Sequence, residues 1–132
     1  MAMLTSRHGL GLAMATLLAA AACGAEDTDT RPPTLAYITK AILRPNCATA
    51  TCHGEHAAIN GVALHDADAA YRSLVTTDPL EPKFVLPESP QLSGLMDRLI
   101  GDEVDRMPPD QPLPEADIEL IRLWILDGAK NN

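Results

Sequence analysis

Cys47, Cys52 and His53 fall within one run, Asn46-Cys47-Ala48-Thr49-Ala50-Thr51-Cys52-His53-Gly54, and no other feature constrains the fold of this chain as much. Two thiols closed by an imidazole can hold a porphyrin covalently. Each thiol adds its S–H across one vinyl group, and the adjacent ring reaches the iron from one side. The usual spacing of such a site is C-x-x-C-H, whereas four residues separate the thiols here. Those four, Ala48, Thr49, Ala50 and Thr51, are small and uncharged, so the loop can bulge without burying a charge. On this reading the chain folds around one covalently bound haem.

The N-terminus reads as a targeting segment. Arg7 and His8 form a short polar start, and residues 10–22 are an uninterrupted run of Gly, Leu, Ala, Met and Thr. That run suits a signal-peptide core and falls short of the ~20 residues a spanning helix needs. Ala20 and Ala22 satisfy a small-residue cleavage rule, and Cys23 follows at once, as in bacterial lipoproteins. Residues 1–22 are therefore expected to be a lipoprotein-type signal peptide, and Cys23 the lipidated residue. Residues 23–33 would be a flexible acidic linker ending in Pro32-Pro33, and 34–132 the folded domain. This accounts for all three cysteines, one for lipid and two for haem. It places the protein in the periplasm or cell envelope, lipid-anchored to a membrane. Ordinary cleavage, leaving a soluble periplasmic protein with a free Cys23, is the alternative. Export agrees with the haem reading, since covalent attachment in bacteria is completed outside the cytoplasm.

A domain of about 100 residues has room for one small core. All 18 acids lie beyond the leader, against 9 of the 10 basic residues once Arg7 is removed. Such a balance argues against nucleic acid and against adhesion to anionic lipid, and suits a redox partner with a basic docking face or simply a solvated acidic surface. Tyr37, Tyr71, Phe84 and Trp124 are the only aromatics. A buried porphyrin would supply the large apolar surface they do not.

Helical spacing dominates the rest. Thr34 caps a helix expected over 35–43, with Leu35, Ile38, Ile42 and Leu43 on one face and Pro45 stopping it before Cys47. Residues 59–64 read as irregular, and Asp66 caps a short helix over 67–75. Residues 76–87, broken by Pro79, Pro82 and Pro87, read as loop. Ser89-Pro90 starts a helix through Ile100 with Leu92, Leu95, Met96 and Leu99 on one face, and Gly101 ends it. After an acidic, proline-rich loop over 102–112, a last helix spans 114–127. Its expected buried stripe is Ile118, Ile121, Trp124 and Ile125, with Gly128 closing it. The fold class expected is all-α, a bundle of about four short helices.

A haem held by His53 has a second axial position. A methionine thioether there is a soft ligand that favours ferrous iron. Met96 sits on an apolar helix face and reads as core. Met107, between Arg106 and Pro108-Pro109, lies in a rigid polar loop with no packing role, and is the expected ligand. His56 and His65 are the competing candidates.

From about Leu35 to Ala129 the chain resembles a small bacterial class I cytochrome c. It is similar in particular to the lipoprotein and planctomycete-type domains with widened thiol spacing. The matching residues include Cys47, Cys52-His53-Gly54, Ala70-Tyr71-Arg72-Ser73-Leu74-Val75, and Pro87-Glu88-Ser89-Pro90 with Leu92. Arg106-Met107-Pro108-Pro109, and Leu120-Ile121-Arg122-Leu123-Trp124-Ile125 followed by Gly128-Ala129, complete the set. The resemblance implies thioethers at Cys47 and Cys52, with His53 as proximal and Met107 as distal iron ligand. It also implies that the first and last helices pack near one haem edge, with Trp124 in that contact. Glu88 stands where the family commonly has glycine.

The function expected is one-electron transfer by a monomeric mono-haem cytochrome serving redox partner proteins of an envelope electron-transfer chain, and not catalysis. Two alternatives belong to other classes. One is a small zinc module using Cys47, Cys52, His53 and His56. The other is a structural lipoprotein with a Cys47–Cys52 disulfide.

Overall fold

A computed structural model describes residues 29–75, 84–101 and 105–132. The expected signal peptide, Cys23, the first part of the linker, and residues 76–83 and 102–104 lie outside the described residues. The first helix, α1, covers residues 35–46 in three joined pieces. It is α-helical over Leu35–Ile38, π-helical over Thr39–Leu43 and α-helical again over Arg44–Asn46. Thr34 Oγ1 accepts the Tyr37 N–H at 3.4 Å. Two further unpaired N–H groups of the first turn find partners at the far end of the chain: Leu35 donates to Asn132 Oδ1 at 3.1 Å and Ala36 to the Asn132 carbonyl at 2.8 Å.

Pro45 does not stop this helix where the sequence reading put the end. A helical proline offers no N–H and presses on the carbonyl four residues back. The π turn just upstream, where Arg44 N–H reaches back five residues to the Thr39 carbonyl, widens the helix and relieves that misfit. Asn46 Nδ2 then donates to the Ile42 carbonyl at 2.8 Å and keeps the last turn closed.

Helix α2, Ala67–Leu74, starts as expected from Asp66, whose carboxylate accepts the Ala69 N–H at 2.7 Å. That bond holds the Asp66 carboxyl below its ordinary range. The expected helix over 89–100 is instead two elements. A single 3-10 turn at Pro90–Leu92 precedes helix α3, Gly94–Ile100, and Ser93 between them is extended, with φ −91° and ψ 115°. Ser93 is buried; its Oγ accepts the Leu86 N–H and donates to the Ser89 carbonyl, each at 2.9 Å. Turning Ser93 inward swings Leu92 out to 67 % exposure, whereas Met96 and Leu99 are buried as their spacing predicts. Gly101, at φ +77°, ends α3 in the left-handed conformation, its N–H on the Asp97 carbonyl.

Helix α4, Glu115–Leu126, buries Leu120, Ile121, Trp124 and Ile125. Ile118 is only half-buried, and Leu120 takes the inner position expected of it. α1 packs against α2 and α4, and α4 against α3, around one apolar core. Arg31, in the expected linker, pairs with Asp29 and with Asp117 on α4, so the end of that segment lies against the domain. The fold is all-α: the described residues hold no strand, and none of their helices is long and apolar enough to cross a membrane.

Candidate functional site

Cys47 is delivered by the C-terminal end of α1. Its N–H donates to the Leu43 carbonyl at 2.7 Å, and Ala48 shares that acceptor at 3.0 Å. The residues between the two thiols form a closed turn held by its own backbone. Cys52 N–H donates to Thr49 O at 3.2 Å, Gly54 N–H to the same oxygen at 3.1 Å, and His53 N–H to Cys47 O at 3.1 Å. The widened spacing therefore folds compactly and returns Cys52 and His53 to the helix end.

Gly54 makes that closure possible. It is buried, and a Cβ there would lie 2.7 Å from Thr49 O and 3.2 Å from Ala48 O, backbone atoms that cannot swing aside. Gly54→Ala is expected to destabilise the domain by about 1–3 kcal/mol, the usual range for overpacking, as measured by denaturant unfolding.

Both thiols are free and half-buried. Burial, with a smaller contribution from the neighbouring Cys52, pushes the Cys47 thiol up to about 11, so it keeps its proton at neutral pH. His53 Nδ1 stands 3.1 Å from the Val62 carbonyl. A carbonyl only accepts, so Nδ1 carries the proton in this contact; in the neutral ring that leaves the lone pair on Nε2. Nε2 has no hydrogen-bond partner among the described residues. Two backbone bonds bring the chain back beneath the ring: Ile59 N–H to Cys52 O at 3.1 Å and Leu64 N–H to His53 O at 2.8 Å. The turn around Ile59 uses three left-handed residues, Ala58, Asn60 and Gly61. Of these only Ala58 carries a side chain that disfavours the conformation, since asparagine and glycine adopt it readily.

Met107 is 36 % exposed in its loop, its N–H donating to the Arg98 carbonyl at 2.7 Å. Arg106 folds over the following prolines, donating to Pro108 O at 2.8 Å and Pro109 O at 3.4 Å. Met96 is in the core. His56 is exposed, and His65 Nε2 lies 3.2 Å from the Asp66 carboxylate. Trp124 is 1 % exposed, and its indole N–H donates to the Lys130 carbonyl at 2.9 Å.

Among the described residues no three His, Cys, Asp or Glu side chains gather as metal donors, so the four residues of the zinc reading do not converge. The Val62 carbonyl escaped sequence reasoning; only the Asn60-Gly61 turn signal hinted that the chain doubles back there. Comparisons with protein-family models, with curated proteins and with solved structures return no match.

Proposed function

We propose that this chain is a mono-haem c-type cytochrome, a one-electron carrier of the bacterial cell envelope, anchored through a lipid on Cys23. The observation that carries the reading is the state of His53. Its Nδ1–H is committed to Val62 O, which in the neutral ring leaves Nε2 as the metal-binding nitrogen, in the same turn as two free, half-buried thiols. Metal-bound histidines almost always donate their other ring N–H to such an acceptor, which fixes tautomer and orientation. The donor set fits a haem: Cys47 and Cys52 would hold it through thioethers, His53 Nε2 would take one axial position and Met107 the other. Iron bound in this way supplies a couple between ferric and ferrous states. Trp124 would brace the contact of α1 with α4 near one edge.

A further observation favours the cytochrome reading. Glu88, where the resembled family commonly has glycine, adopts φ +63°, the conformation glycine favours, and donates its N–H to Ile125 O at 2.8 Å. The formal charge of −8 suits a partner with a basic docking face. The zinc alternative lacks converging donors among the described residues.

The test is the visible spectrum, oxidised and dithionite-reduced, of chain exported from a host able to attach c-type haem. A denaturing gel of the same sample is stained for haem. A haem band surviving denaturation, with a six-coordinate reduced spectrum, is expected. Colourless protein carrying zinc or an internal disulfide would sink the proposal.

A further inference from the structure

We infer that Ser73 is a positioning residue for His53, acting through the one peptide group that lies between them. Ser73 is on α2, and its Oγ accepts the Ala63 N–H at 3.0 Å and donates to the Ala63 carbonyl at 3.2 Å. The Ala63 N–H belongs to the Val62–Ala63 peptide, whose other polar group is the carbonyl that holds His53 Nδ1–H at 3.1 Å. A peptide group is planar, so anchoring its N–H sets the direction of its C=O. Bonding the N–H also polarises the carbonyl and makes it a better acceptor.

A serine inside a helix ordinarily bonds back to the carbonyl one turn earlier. Ser73 instead directs both of its bonds across to Ala63. The segment it grips follows the left-handed residues Ala58, Asn60 and Gly61, so the Val62 carbonyl comes out of a turn and needs an external anchor. Leu64 N–H on His53 O secures the histidine backbone but leaves the ring free to rotate. The chain of contact is therefore α2, Ser73, the Val62–Ala63 peptide and the imidazole.

The redox consequence rests on the haem reading proposed above. A hydrogen bond at Nδ1 raises the basicity of the ligating ring and stabilises ferric iron. Removing the Ser73 hydroxyl loosens the Val62 carbonyl, weakens that bond and raises the midpoint potential.

The experiment compares the haem-loaded full chain with Ser73→Ala, Ser73→Thr and Ser93→Ala. Ser93 is a useful control because it bonds the backbone of a different turn, at Leu86 and Ser89. Two readouts are taken on each: the midpoint potential, and the exchange rate of the His53 Nδ1 proton by NMR of the reduced protein. Ser73→Ala is expected to shift the potential upward and speed exchange, and Ser73→Thr to restore both. Ser93→Ala should lower the melting temperature while leaving both at parental values. Parental potential and exchange in Ser73→Ala would overturn the inference, as would the same shift in Ser93→Ala. If the parent chain carries no haem, the cytochrome reading fails on its own account. The Ser73 inference is then decided by nitrogen NMR of His53: loss of the Nδ1–H tautomer in Ser73→Ala upholds it, and an unchanged tautomer overturns it.

Discussion

Exchanging Met107 for alanine in the haem-loaded chain proposed above is expected to lower the midpoint potential by on the order of 0.1–0.3 V, a sizeable part of the ~0.8 V range that axial ligands command. The haem band on a denaturing gel should remain, because on the proposed reading covalent attachment would depend on Cys47 and Cys52 rather than on the thioether. The geometry makes the experiment clean. Met107 is 36 % exposed, and its loop is held by backbone, with Met107 N–H on Arg98 O and Arg106 on the carbonyls of Pro108 and Pro109. Truncating the side chain removes little packing, so the haem-free chain should unfold within about 0.5 kcal/mol of the parent, as surface substitutions generally do. A large redox effect beside a negligible effect on the haem-free fold is the signature of a ligand, not of a core residue. Reduced and oxidised spectra check the coordination directly: the variant should lose its six-coordinate reduced form. A parental spectrum and potential would remove Met107 from the iron and turn attention to His65, which is half-buried beside Asp66.

How much of this was legible in the sequence depends on how local each determinant is. Asp66 and Gly101 behave as read because a cap and a left-handed terminus are decided by neighbours three or four residues away. The all-α class and the burial of Ile38, Ile42, Met96, Ile121 and Trp124 follow from helical spacing. The failures have tertiary causes. Pro45 reads as a stop because a regular α-helix holds it poorly, but a π turn accommodates it, and nothing in the composition of Thr39–Leu43 announces one. Leu92 falls inside only on a continuous helix, which Ser93 interrupts through bonds to Leu86 and Ser89 that no periodicity encodes. The same division runs through the candidate site. Its chemical groups, Cys47, Cys52 and His53, are plain in one heptapeptide. The groups that orient them, the Val62 carbonyl and behind it Ser73, lie nine and twenty residues away, and only the folded path of residues 58–64 brings them in.

Trp124→Ala should be the most damaging single substitution in the core, costing about 3–5 kcal/mol by the usual range for large aromatic truncations. The residue is 1 % exposed and is the only tryptophan among four aromatics, so its truncation removes the largest single side chain of the core. It also ties down the chain end. Its N–H holds the Lys130 carbonyl and its carbonyl accepts from Ala129, just before Asn132 caps the first turn of α1. Domains of this size are stable by only about 5–15 kcal/mol, so the loss takes a large share of the total. The melting temperature should fall by roughly 12–40 °C at the ~4–8 °C per kcal/mol typical of small domains. Trp124→Phe keeps one buried six-membered ring but loses the N–H bond and the rest of the indole, so it should cost about 1 kcal/mol for the bond plus a cavity term. Melting haem-free and haem-loaded chains side by side gives the comparison its functional content. If Trp124 braces a haem edge, Trp124→Ala destabilises the loaded chain by more than the haem-free one. Equal losses in the two states would make Trp124 a core residue alone, and would move the proposed haem contact away from the junction of α1 and α4.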